Sequence, residues 1–135
     1  MTPNTNHVIV KLTKWLIRGG DIRLIITYAN SKVKKCFTDY NRMKKELPAD
    51  WVRTIKKHMD RLEAAECFGD FLKLGLGKPE QLSGYTQIRY SLHVAPHVRL
   101  ILEPNATRDT VMICTEIEVE GVSDYHGSKE NWYIS

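Results

Sequence analysis

Three successive stretches in the C-terminal half of the chain alternate apolar and polar residues, and they constrain the fold more than any other feature. They span residues 87–94, 98–103 and 111–120. A period of two places the apolar side chains on one face of a β-strand. The short Ala-Pro-His link at residues 95–97 indicates a hairpin between the first two stretches. The sequence therefore predicts antiparallel strands with one buried face.

The alternation changes phase at Gly121, where Val122 takes the inward position that residue 121 would otherwise hold. A glycine at such a change is typical of a β-bulge, which adds one residue to a strand. We expect the bulge to redirect Asp124, Tyr125 and His126, which follow it.

The N-terminal half predicts a strand followed by a helical hairpin. Residues 22–28 are rich in β-branched and aromatic side chains, as in a largely buried strand. An apolar stripe from Val33 to Leu47 predicts a helix capped by Asn30 or Ser31. A second stripe, over residues 52–62, predicts a helix that starts at Pro48 and continues to residue 66.

The glycine-punctuated stretch that follows predicts a short helical turn over residues 70–74 and otherwise loop. His58, on the second helix, is expected at the surface. These elements define an α+β fold with a helical hairpin packed on an antiparallel sheet of about four strands. At 135 residues the chain is long enough for one such domain. We assign residues 21–135 to it and residues 1–20 to an N-terminal extension.

Charge is distributed unequally along the chain. Residues 1–66 carry 14 Lys and Arg against 7 Asp and Glu, whereas residues 67–135 carry 6 against 9. A basic helical half suits phosphate backbones, an anionic membrane or an acidic partner protein, and the same lysines would also serve simply to solvate helix faces.

The cysteines and the N-terminal run bear on localisation. Three cysteines without CxxC spacing indicate neither a disulfide framework nor a zinc site, which predicts a reducing cytosol. Cations interrupt the apolar run at residues 8–18 too often for a membrane-spanning helix. A targeting peptide or a basic surface anchor is the alternative for this run.

Three short motifs, taken in order and spacing, resemble the HigB branch of the RelE/ParE superfamily of toxins. They are RLILEPN at residues 99–105, DYHG at residues 124–127, and the block PEQLSG at residues 79–84 with YSL at residues 90–92. The resemblance extends from Asp21 to Gly127. It implies the RelE-like fold and the cleavage of mRNA on the ribosome.

RNA cleavage without a metal requires a base, an acid and cations that stabilise a phosphorane-like transition state. The resemblance assigns proton transfer to His126, whose ordinary pKa is near neutrality, and phosphate pairing to Arg99. Tyr125 would stack on a base, and Asp124 would orient the imidazole or contact the RNA. Without the resemblance, Asp124, Tyr125 and His126 are more typical of a strand end than of a catalytic set, and Arg99 is more typical of a solvated strand arginine.

The chain departs from the family pattern in the PEQLSG block. Glu80 and Ser83 replace the family's histidine and lysine, so an imidazole and a cation are missing there. Glu80 would act as a base if partly desolvated. His93 stands where the family commonly has an arginine. The structural alternatives are an exposed loop glutamate and an outward polar histidine.

Cations that recur along both predicted helices form a candidate RNA-contacting surface. Aromatic residues do not interleave with them, which favours contact with the phosphate backbone over reading of bases. The resemblance implies that they contact ribosomal RNA. The set is Lys34, Lys35, Lys44, Lys45, Arg53, Lys56, Lys57 and Arg61, with Arg89 on the first alternating strand.

The resemblance thus predicts a cytoplasmic type II toxin, a ribosome-dependent mRNA endonuclease without a metal or organic cofactor. Its partners would be mRNA, the ribosome and a cognate antitoxin with a helix-turn-helix domain, similar to HigA, and no membrane. A ParE-like toxin that poisons gyrase is one alternative, although its class lacks the cluster at residues 124–126. A catalytically degenerate module that binds an antitoxin is another, favoured by Glu80 and Ser83.

Overall fold

The computed structural model describes residues 23–126 and 129–135, without the side chains of Tyr125, His126, Lys129 and Glu130. The predicted extension, residues 1–20, lies outside the described residues. Within the described part, helices and strands share one hydrophobic core, which confirms the α+β class. The elements in chain order are β1 (Ile25–Tyr28), α1 (Ser31–Phe37), α2 (Tyr40–Met43), α3 (Ala49–Ala64), α4 (Phe68–Lys73), β2 (Glu80–Leu82), β3 (Arg89–Ala95), β4 (Val98–Pro104), a 3₁₀ helix (Val111–Ile113), β5 (Glu116–His126) and β6 (Lys129–Ile134).

The described strands form one six-stranded sheet. Five of them lie in the order β1-β5-β4-β3-β2, and β6 also pairs with β5. β1 pairs in parallel with the first half of β5, and β6 pairs antiparallel with its second half. The other neighbouring pairs are antiparallel, and the predicted hairpin joins β3 to β4. No helix in the described residues has the length and apolar character needed to cross a membrane.

The predicted strand count of about four was too low. β2 lies in a segment predicted as loop, because three residues are too few to show alternation. β6 follows the last recognised motif and was not predicted. Residues 111–113 were predicted as strand but form a 3₁₀ helix, in which Val111 is buried while Met112 and Ile113 are exposed. A hydrogen bond of 2.8 Å from the Phe68 N–H to the Cys114 carbonyl ties this segment to α4.

The predicted first helix divides into α1 and α2. The side chain of Asn30 caps α1 by accepting from the Val33 N–H at 3.0 Å, as predicted. Asp39 then caps α2 by accepting from the N–H groups of Asn41 and Arg42. This second cap interrupts the helix, but the apolar stripe continues, and Met43 and Leu47 are buried.

The second predicted stripe is confirmed as the inner face of α3. Val52, Ile55, Met59 and Leu62 are all buried, and they pack in one cluster with the inward residues of β3, β4 and β5. Pro48 precedes the helix, as predicted, where its missing N–H costs nothing.

His58 is buried on α3, and its predicted surface position was wrong. The residue is only 3% exposed, and its Nε2–H donates to the His93 carbonyl at 2.7 Å. The bond joins α3 to β3, and Nδ1 has no partner among the described residues. Burial lowers the pKa of His58, so the folded chain favours the neutral ring.

The bulge predicted at Gly121 is present in β5. Ile101 of β4 pairs with Gly121, whereas Leu102 pairs with Val119, which leaves Glu120 as the additional residue. Gly121 has φ +144°, and a Cβ at this position would collide with the Ile134 carbonyl of β6. The bulge and the close approach of β6 therefore both depend on a residue without a side chain.

Candidate functional site

The sheet has two different faces, and three of the four predicted catalytic residues whose side chains are described lie on one of them. The inward residues Leu92 and Leu100 pack with the helices, so their neighbours His93 and Arg99 lie on the opposite side, here called the far face. Directly paired residues share a face. Glu80 pairs with Ser91, which places it on the far face as well.

Arg99 and His93 lie side by side on the far face, at the end of the sheet near the β3–β4 hairpin. The Nη1 group of Arg99 donates to the carbonyls of Val98 at 3.2 Å and Ala95 at 3.4 Å. It also lies 3.2 Å from His93 Nδ1. Because arginine only donates, Nδ1 accepts and the imidazole is neutral. Burial, followed by the charges of Arg99 and Lys78, lowers the pKa of His93 in agreement with this.

Asp124 lies on the helix side, across the sheet from Arg99. Its backbone pairs with buried Val98, whereas Arg99 pairs with Ser123. The Tyr133 hydroxyl donates to the Asp124 carboxylate at 3.1 Å, and the Tyr133 ring packs edge-on against Trp51 of α3 at 5.2 Å. The structure thus separates two residues that the motifs suggested would act together.

Tyr125 and His126 are the last two residues of β5, and their backbones pair with Glu130 and Lys129 of β6. Their side chains lie outside the described part of the chain. The proposed roles of these two residues therefore remain predictions from the sequence motif.

A cluster of three carboxylates around one arginine occupies the other end of the far face. Arg89 donates to Glu103 at 3.3 Å and to Glu120 at 3.4 Å, and its guanidinium lies 4.7 Å from the centre of the Tyr85 ring. Oxygens of Glu103, Glu118 and Glu120 lie within 4.8 Å of one another. Sequence reasoning missed this cluster and assigned Arg89 to RNA, whereas its charge is engaged within the sheet.

The signal for this cluster was present in the sequence. Glu116, Glu118 and Glu120 alternate along β5, and Glu103 pairs directly with Glu118. Burial, the contact with Glu118 and the charge of Glu103 raise the pKa of Glu120 to about 8. Arg89 already supplies a positive charge to the cluster, and we assign no metal to it.

A polar cleft of about 760 Å³ adjoins the carboxylates. Glu103, Glu116 and Glu118 line its floor, and the loops at residues 83–88 and 104–108 form its walls. A cleft of this volume is large enough for a small polar molecule or for one end of a linear polymer.

The predicted basic surface is exposed but partly neutralised. Arg53 pairs with Asp50 and Lys56 with Asp60, each at 3.1 Å, and Arg61 is half-buried. Lys56 also lies 5.9 Å from the centre of the Tyr40 ring of α2. The members of the predicted set that are exposed and make no ion pair with another described residue are Lys34, Lys35, Lys44, Lys45 and Lys57.

Comparisons of the chain with protein-family models, with curated proteins and with solved structures found no match. The assignment of a function therefore depends on the sequence motifs and on the geometry of the two faces.

Proposed function

We propose that this protein is a cytoplasmic type II toxin with the RelE/ParE fold, which cleaves mRNA on the ribosome until a cognate antitoxin binds it. The observation that carries the proposal is the placement of two of the three motifs. RLILEPN forms most of β4, and the first three residues of DYHG end β5, which pairs antiparallel with β4. Arg99 and the end of β5 consequently lie at the same end of adjacent strands.

The order of elements also supports the proposal. A first strand, a helical layer and then an antiparallel run of strands is the order that the resemblance implies, and β1 joins the same sheet by pairing in parallel with β5. The exposed lysines of α1 and α3 supply a surface for ribosomal RNA phosphates.

In this proposal His126 transfers the proton, Arg99 stabilises charge on the scissile phosphate and Tyr125 stacks on a base. His93 adds an imidazole beside Arg99, where the neutral ring offers a hydrogen-bond donor at Nε2. Glu80, exposed on the far face, stands at the position of the family's histidine and is the alternative to His126 as the base.

A catalytically degenerate module that binds an antitoxin is the second candidate, and a specific observation favours it. Arg99 donates to two carbonyls of its own hairpin, and Asp124 bonds to Tyr133 on the opposite side of the sheet. Both side chains thus have structural roles, and the family's histidine and lysine are absent at Glu80 and Ser83.

Induction of the chain in a bacterial host, followed by mapping of mRNA 5′ ends, distinguishes the two candidates. We expect growth arrest with new 5′ ends confined to translated regions. Growth arrest without such ends, or equal cleavage of purified RNA in the absence of ribosomes, would contradict the ribosome-dependent activity. Antitoxin binding without toxicity would assign the degenerate module.

The basic surface predicts a strong dependence of ribosome binding on salt. Neutralising Lys56 and Lys57 together with glutamine should reduce the slope of log affinity against log salt by about one for each phosphate that the variant no longer neutralises. The measurement is binding to ribosomes at several salt concentrations. Lys73→Gln is the matched control, because Lys73 is exposed at the end of α4 and outside the proposed surface. Equal slopes in all variants would place the ribosome-binding surface elsewhere.

A further inference from the structure

The carboxylate cluster of the far face has more negative charge than its surroundings neutralise. Glu103, Glu118 and Glu120 contribute three carboxylates, and the single guanidinium of Arg89 contacts two of them. The side chains of Arg89 and Glu120 are only 19% and 11% exposed, so water screens these charges weakly.

One oxygen of the cluster has no donor when all three groups are ionised. Oε1 of Glu120 accepts from Arg89, but Oε2 is buried and has no hydrogen-bond partner among the described residues. A carboxylate oxygen of Glu118 lies within 4.8 Å of one of Glu120, and Glu118 raises the pKa of Glu120 more than any other charged neighbour does. Two carboxyl groups hydrogen-bond to each other only when one of them carries a proton.

We propose that Glu118 and Glu120 share one proton, and that this proton makes the stability of the fold sensitive to pH in the neutral range. The proton satisfies the buried oxygen and removes one negative charge beside the bulge of β5. The inference does not depend on the proposed function, because it concerns the folded chain alone.

Every neighbouring strand contributes to the surroundings of the pair. β1 places the Thr27 side chain opposite Glu118, and Arg108 lies across the cleft. Arg89 favours the ionised form of Glu120, and Glu103 favours the proton. Among the described residues, the charged and titratable groups around the pair and its cleft are Arg89 of β3, Glu103 of β4, Glu116 of β5, Tyr85 over the guanidinium, and Arg108.

The direction of the pH effect follows from the proton count. Burial, with Glu118 and Glu103, raises the pKa of Glu120 from 4.5 to about 8 in the folded chain. Between these values the folded chain holds a proton that the unfolded chain has released. Stability therefore falls as the pH rises from 4.5 towards 8 and levels off above it.

Other groups limit the pH range of a clean measurement. The buried His58 has a lowered pKa, so its contribution to stability is complete above the ordinary value of 6.5 and is lost as the pH falls below it. Burial raises the pKa of Cys36 and Cys114 above 9.0, which affects stability only in more alkaline solution. His93 also has a lowered pKa, so near pH 6.5 both histidines oppose the effect of the carboxyl pair. The difference in stability between wild type and a variant of the pair, from about pH 6.5 to 8.5, isolates the pair because the histidines contribute equally to both.

Denaturant unfolding of the full chain across that range tests the proposal. One linked proton changes the folding equilibrium constant by about tenfold per pH unit where the linkage is complete. We expect the wild-type constant, taken relative to that of a variant of the pair, to fall towards this rate between about pH 6.5 and 7.5. Glu120→Gln and Glu118→Gln should each remove most of this slope, because an amide supplies a permanent donor. Glu116→Gln, on the same strand, should keep the wild-type slope.

An identical slope in wild type and in both variants of the pair would overturn the proposal. If neither variant folds, carboxyl ¹³C titration of the labelled wild-type chain decides the matter. A glutamate that titrates above about pH 7 supports the shared proton, whereas titration of every glutamate below about pH 7 overturns it.

Discussion

Replacing Gly121 with alanine is expected to lower the free energy of unfolding by about 3 kcal/mol or more. The φ of +144° is unfavourable for any residue with a Cβ, and that Cβ would collide with the Ile134 carbonyl. Because the obstacle is backbone, relief requires β6 to move away from β5. Thermal unfolding should show a midpoint lower by about 10 °C or more.

Gly75→Ala separates the two causes of this loss. Gly75 also has a positive φ, +66°, but a Cβ there would have open space around it. Its replacement should cost only about 1 kcal/mol from the backbone conformation. If Gly121→Ala is no more destabilising than Gly75→Ala, residue 121 is not packed tightly against β6.

The predictions that were confirmed depend on patterns that a single element imposes on its own sequence. The stripe over residues 52–62 repeats at helical spacing, and α3 buries it. The phase change at Gly121 marks the bulge because an extra residue must reverse the alternation after it. Asn30 caps α1 through a contact only three residues along the chain.

The elements that were missed owe their form to tertiary contacts. β2 has three residues and exists because it pairs with β3, and residues 111–113 leave the strand pattern where the chain attaches to α4. His58 resembled a surface residue because α3 is rich in charge. Its ring is instead buried against β3, where the His93 carbonyl accepts a hydrogen bond from Nε2. The periodicity of a single segment gives no information about these tertiary partners.

The candidate site shows the same division. The motifs identified Arg99 and Asp124. They did not show that Asp124 pairs with Val98 and Arg99 with Ser123, which directs the two side chains to opposite faces of the sheet. The carboxylate cluster needed the pairing of Glu103 with Glu118 and the arrival of Arg89 from a third strand. Its unusual proton affinity results from this convergence, not from any one residue.

Under the proposed function the wild-type chain arrests growth, and His126→Ala is expected to abolish this arrest. The proposed function assigns proton transfer to this imidazole, a step typically worth about 10²- to 10⁴-fold in rate. The measurement is the yield of new mRNA 5′ ends after induction, together with the unfolding midpoint and antitoxin binding, both of which should be retained. His97→Asn is the matched control, because asparagine tolerates the left-handed backbone of His97, φ +64°.

Substitutions at Arg99 and Glu80 complete this test of the chemistry. Arg99→Ala should also lower cleavage, by removing charge stabilisation from the transition state. It should lower stability as well, since the Ala95 and Val98 carbonyls lose a donor. Glu80→His restores the family's imidazole and should leave cleavage equal or higher. If Glu80→His abolishes cleavage while His126→Ala is tolerated, Glu80 is the working base and the role assigned to His126 is wrong.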